Sequence, residues 1–269
     1  PEFAENADQA DSTRRFSDRV ENYVLYRPSY PEGVLRVLTH ETGLTRESVI
    51  ADIGSGTGIS SELFLRHGNT VFAVEPNDEM RHAGERLLAG YPQFRSLAAR
   101  AEATTLPDSS VDYVTAGQAF HWFDPELARV EFARILRDAG WVVLLWNARR
   151  IDTTPFLRAY EALIERYGTD YRQVRHANID VTRLSVLFGG ELGETFQLRR
   201  LYNEQRFDFD GLRGRLLSSS YTPTAGSPSY APMLRDLRKT FDEYAEDGRV
   251  ALEYDTAIYF GHLGWKRRA

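Results

Sequence analysis

The stretch Val49-Ile-Ala-Asp-Ile-Gly-Ser-Gly-Thr-Gly-Ile-Ser60 constrains this chain more than any other. Val49 to Ile53 is a short apolar run and reads as a buried parallel strand. It breaks at Gly54, Gly56 and Gly58, after which Ile59, Leu63 and Phe64 follow at helical spacing. Glycine turns at positive φ without penalty and lets a ligand approach the backbone, because it carries no Cβ. The first amides of the following helix have no partner within it and point at whatever occupies the turn. Strand, glycine turn and helix together make a loop for a nucleotide-bearing cofactor.

The spacing narrows the cofactor. A dinucleotide fingerprint is G-x-G-x-x-G, whereas this loop reads G-x-G-x-G with Asp52 two positions before the first glycine. A phosphate loop would close on Gly-Lys-Ser/Thr, and no lysine stands here. Asp52 would repel a pyrophosphate and suits a cationic cofactor. On these residues, Asp52-Ile-Gly-Ser-Gly-Thr-Gly58 resembles the first motif of the class I S-adenosylmethionine (SAM)-dependent methyltransferases. The resemblance implies an α/β fold with a seven-stranded Rossmann-like sheet. Its strands are mostly parallel, and the last is antiparallel, inserted between the fifth and sixth. It further implies one methyltransferase domain over 1–269, with a SAM-binding core at 22–150 and helical cap insertions at 151–190 and 209–247. Gly54, Ser55 and Gly56 would line the cofactor.

Composition sets the outer bounds. With 269 residues, 42% hydrophobic and 27% charged, the chain suits one large α/β domain with insertions. No run reaches the ~20 apolar residues of a membrane span, and no signal peptide is evident, so the expected location is cytoplasmic. Zero cysteines exclude disulfides, thiolate metal sites and a cysteine nucleophile, and no metal is expected. A formal net charge of −6 disfavours a nucleic-acid partner. The expected species is a monomer or homodimer.

Further motifs extend the resemblance. Tyr23-Val-Leu-Tyr26-Arg27-Pro-Ser-Tyr-Pro31 is either a turn packing its aromatics on the core or a lid. The latter is how such a segment lies in the small-molecule group that includes trans-aconitate methyltransferases. There Tyr23, Tyr26 and Arg27 would face the sulfonium and the methionyl carboxylate, Arg27 as a charge-assisted donor. Thr70 to Glu75 reads as a second parallel strand. Glu75 stands where this topology puts an acceptor for the ribose hydroxyls, about 20 residues past the glycines. Pro76 and Met80 flank the next helix start, capped by Asn77 or Asp78, and the resemblance packs Met80 on the adenine. A third strand, 94–99, leads to Glu102-Ala103-Thr-Thr-Leu-Pro107, which resembles the family's Asp-Ala-x-x-Leu-Pro segment with Glu102 in place of the usual Asp. The fourth strand, 110–116, runs into Gln118-Ala-Phe-His121-Trp122-Phe123 on the same rim as the glycine loop. Asp124-Pro125 caps a helix to about Leu136, and Gly140 to Asn147 is the fifth strand. Beyond it, helices are expected at 154–168, 209–219 and 231–245, strands at 195–208 and 249–259, and irregular chain at 170–190.

Methyl transfer from a sulfonium is an in-line displacement that needs a nucleophile ~3 Å from the carbon and water kept out. A hydroxyl or ammonium acceptor also needs a base, for which His121 is the candidate; a carboxylate acceptor needs none. His121 and Trp122 are equally read as acceptor contacts, and Gln118 as a donor to cofactor or acceptor. Arg149-Arg150 and Tyr221 are pocket-wall candidates, the arginines suiting an anionic acceptor or forming ordinary surface charge. The function expected is methyl transfer to a small-molecule carboxylate, hydroxyl or amine. A dinucleotide oxidoreductase, a nucleic-acid methyltransferase on the same fold and a silent SAM binder stay open.

Overall fold

The computed structural model describes residues 25–169, 171 and 180–263. In chain order these form α1 (Gly33–Thr42), β1 (Val49–Ile53), α2 (Ile59–His67), β2 (Thr70–Val74), α3 (Asp78–Leu88), β3 (Phe94–Leu97), β4 (Val111–Gly117), α4 (Pro125–Ile135) and β5 (Leu136–Arg149). Then come α5 (Pro155–Tyr167), α6 (Val181–Phe188), β6 (Phe196–Phe207), α7 (Phe209–Leu217), α8 (Tyr230–Tyr244) and β7 (Val250–Gly261). The strands make one sheet in the order β3-β2-β1-β4-β5-β7-β6. β1 to β5 pair in parallel, and β7 runs antiparallel between β5 and β6. This is the Rossmann-like order expected from the sequence. It reverses between β1 and β4, so their carboxyl ends share a crevice.

Alternation along the strands builds a core on each face of the sheet. Ile50 and Val143 point to one face, under Val34, Leu38 and Phe64 of α1 and α2. Ala51 and Val142 point to the other, under Phe132 and Ile135 of α4. A third core joins α5, α7 and α8 through Phe156, Leu212 and Leu237, closed by Val250, Leu252 and Tyr254 of β7. β7 therefore begins in the cap and ends in the sheet.

Two expectations are corrected. The 170–190 stretch is not irregular throughout, because α6 occupies 181–188 with Asp180 as its cap, accepting from the Thr182 amide. Leu184, Leu187 and Phe188 bury against the sheet-face core that holds α4, so this part of the 151–190 insertion does not belong to the cap core. β5 is also longer than read: Leu136 already pairs with Val111, and a register shift precedes the Tyr113–Trp141 pair.

Candidate active site

Gly54, Gly56 and Gly58 all sit at positive φ, 65°, 57° and 90°. Gly54 is doubly required, since a Cβ there would stand 2.6 Å from the Ala119 Cβ on the loop after β4. The amides of the turn itself are engaged within the protein. Gly54 and Ser55 both donate to the Val74 carbonyl, at 2.8 and 3.2 Å, and Gly58 donates to Ser55 O at 2.8 Å. Gly56 donates to Glu75 Oε2 at 2.8 Å. A phosphate cradle needs N–H groups aimed outward; four of these are turned into the protein.

Glu75, just past β2, accepts from Gly56 on one oxygen and from the Asn77 amide on the other, at 2.8 Å. An ionised carboxylate offers about four lone-pair sites, so roughly two remain for a pair of hydroxyls. Burial raises its pKa, opposed by those two amides and by the nearby Arg81 guanidinium. Asp52 is 0% exposed and takes three hydroxyl donors: Ser60 at 2.7 Å, Ser61 at 2.6 Å and Thr115 at 3.0 Å. Burial pushes its pKa up as well, with the three hydroxyls pulling it down. Its carboxylate fastens the start of α2 to β1 and β4. Ser60, Ser61 and Thr115 were not singled out from the sequence. The Ser-Ser pair at the helix start was the available signal, as a hydroxyl source at helix-start spacing.

The remaining candidates gather around this loop. Met80 is buried, its Cε about 3.4 Å from where a Gly56 Cβ would be, while Pro76 is exposed beside Glu75. Glu102 accepts from the Asp124 amide at 3.0 Å and lies 3.8 Å from Arg100, so it ties its loop to the start of α4; Ala103 beside it is exposed. Gln118, at φ 56°, donates to Asn147 O at 3.2 Å and accepts from Asn147 N at 3.1 Å. Both ends of its amide thus hold the β4 loop against β5. His121 lies on a short 3-10 turn, with its ring centroid 4.5 Å from Trp122 and 5.4 Å from Trp146 at the end of β5.

Tyr23 lies outside the described residues. Tyr26 and Arg27 lie in a strap across the cap: the Tyr26 ring covers Gly214, and Arg27 donates to Ser218 O at 3.1 Å. Gln205 and Asn203 of β6 donate to the strap carbonyls of Tyr26 and Ser29, at 3.2 and 2.8 Å. The Arg149-Arg150 pair is divided. Arg150 faces Asp255 at 2.7 Å on the outside, whereas Arg149 turns into the cap, onto Glu161 and the Tyr160 ring. Tyr221 lies in the same cluster, its ring centroid 4.8 Å from that of Tyr171.

The family described as "Methyltransferase domain" matches residues 51–144, which run from β1 to β5. An uncharacterized methyltransferase-like protein of Schizosaccharomyces pombe is 34% identical over 165 residues, covering 61% of this chain and 62% of the relative. An uncharacterized methyltransferase of Mycobacterium tuberculosis is 37% identical over 162 residues, covering 60% and 63%. The chain thus spans a little under two thirds of these relatives' length. Among solved structures, one from Anaeromyxobacter dehalogenans, named as a type II methyltransferase, superposes with a TM-score of 0.63 at 24% identity, covering 88% of this chain and 98% of that one. The phosphoethanolamine N-methyltransferase 2 of Haemonchus contortus, solved with S-adenosyl-L-methionine, superposes with a TM-score of 0.54 at 13% identity, covering 97% and 60%. At such identities these structures establish the fold, which is that of the class I methyltransferases.

Proposed function

We propose that this chain, with its methyltransferase domain at 51–144, transfers a methyl group from S-adenosylmethionine to a small-molecule acceptor. One observation carries the reading. The glycine turn directs its own amides inward and offers a carboxylate, Glu75, at its mouth. That chemistry suits vicinal ribose hydroxyls on a cationic nucleoside and opposes a pyrophosphate, which disfavours the dinucleotide alternative. The bare Gly54–Gly56 backbone gives close approach, and Met80 packs beside it. The formal net charge of −6 favours a small acceptor over a nucleic-acid backbone.

The cofactor supplies an activated methyl on a sulfonium, so the protein's own share is placement and exclusion of water. Glu75 and the glycine turn hold the nucleoside end. Gln118 and Asn147 lock β4 to β5 and so fix the rim that carries His121 and Trp122. His121, between two indole rings, positions the acceptor and takes its proton where the acceptor is a hydroxyl or ammonium.

Calorimetry with SAM tests the assignment. Glu75→Ala is expected to weaken SAM binding at least about tenfold, on the order of 1.4 kcal/mol. His121→Ala is expected to keep that affinity while turnover falls. Unchanged SAM binding in Glu75→Ala, or tighter binding of NAD(H) than of SAM, would remove the reading.

A further inference from the structure

Among the described residues, the cap core buries two guanidiniums, of Arg149 and Arg215, against one carboxylate, that of Glu161. Arg149 donates to Glu161 and, at 3.2 Å, to the Tyr171 hydroxyl, which itself donates to Glu161 at 2.8 Å. Its second terminal nitrogen, Nη1, is buried and has no hydrogen-bond partner among the described residues. Arg215 of α7 is 7% exposed, and its partners are all neutral oxygens. They are the Tyr254 hydroxyl at 3.3 Å and the hydroxyls of Ser219 and Ser218, at 3.2 and 3.4 Å. Tyr160 and Tyr221 sit within electrostatic reach of both arginines.

Arginine stays charged under any condition in which a protein folds. Buried charges are normally paired, because an unpaired one costs several kcal/mol after relaxation. Hydroxyls solvate the Arg215 charge without cancelling it. Among the described residues, two guanidiniums against Glu161 leave one positive charge uncompensated inside the cap, and a singly charged anion would balance it. A phosphate dianion would overshoot.

We propose that Arg149 and Arg215 form a recognition pair for the carboxylate of a monocarboxylate acceptor, bound under the cap with its apolar part against the tyrosines. This rests on the methyltransferase reading and extends it to the acceptor class. The carboxylate is the handle and not the atom methylated, because an oxygen held by two guanidiniums has its electron density drawn away and is a poor nucleophile. Recognition also reaches the strap. The Tyr254 hydroxyl that accepts from Arg215 donates to Gln205 at 3.0 Å, and Gln205 holds the Tyr26 carbonyl.

The test uses the whole chain, with benzoate, benzamide and inorganic phosphate as probes in thermal melts, and SAM calorimetry run separately. Benzoate is expected to raise Tm saturably, benzamide not to, and phosphate to act less than benzoate. In Arg215→Met the benzoate effect is expected to vanish while SAM affinity is kept, and the unliganded Tm to hold or rise, since an unpaired buried charge has gone. In transfer assays the acceptors found should be acids, their amides at least about tenfold poorer in kcat/KM. Equal effects of benzoate and benzamide would overturn the proposal, as would a benzoate effect that survives both Arg215→Met and Arg149→Met. A fall in the unliganded Tm of Arg215→Met with the benzoate response intact would make Arg215 a structural residue and overturn it too. Failure of SAM to bind the wild-type chain would instead remove the reading beneath it.

Discussion

Asp52 and Glu75 are chemically alike and do opposite things. Asp52 ends its bonds on Ser60, Ser61 and Thr115, all within the protein, whereas Glu75 keeps acceptor capacity at the mouth of the turn. Asp52→Asn replaces an acceptor-only group by one with two donors of its own, in a site whose three neighbours donate. It is expected to lower unfolding free energy by about 1–3 kcal/mol in denaturant titration, with SAM affinity falling only as the turn loosens. A variant with unchanged stability and much weaker SAM binding would restore a direct contact to Asp52. The roles were unequally legible. Glu75 is marked by its place at a strand end after the glycines, but nothing in the order of residues says that two serines and a threonine converge on Asp52. Arg215 is harder still, because a helix carrying Arg213 and Arg215 reads as a solvated face until the fold buries one of the two. Arg149 and Arg150 read as a pair, and only the two-residue period of an extended chain separates them onto opposite faces.

At the scale of elements, hydrophobic period and caps located almost every helix and strand. Asn77, Asp124 and Thr154 each cap the helix that follows them, with side-chain oxygens accepting from its first amides. The exception, α6, carried the same signals: Asp180 as cap, Leu184, Leu187 and Phe188 at helical spacing, and Gly189 at φ 70° as its stop. The surrounding run of arginine and histidine obscured them. Elements are also tied by charge. Glu131 of α4 accepts from the Thr104 amide and hydroxyl, at 2.8 and 2.6 Å, and pairs with Arg134 at 2.7 Å, fixing the loop that carries Glu102. Burial works against its charge, but Arg134 and Thr104 prevail and hold its pKa at about 2, below the ordinary 4.5. A folded value below the unfolded one gives stability that is present above pH 4.5 and lost as pH falls through about 2. The stability gap between the wild-type chain and Glu131→Gln, at most about 3 kcal/mol near neutrality, is therefore expected to close across that window. Chemical denaturation at stepped pH measures it, and a gap that persists at the acid end would contradict the assignment.

Over the whole molecule, the sheet order was legible because the glycine loop, the strand-end acid and the rim motif carry a family resemblance, and that resemblance implies the order. The cap core was not, because its three helices are placed by contacts with β7, far away in the chain. β7 gives Val250, Leu252 and Tyr254 to the cap core and Ile258 and Phe260 to the sheet. It also pairs along β5 and the full length of β6. Of the described strands it is the last to leave the ribosome. Until it pairs, β6 has no place in the sheet and the cap core has no wall, so the sheet edge and the cap close in one event.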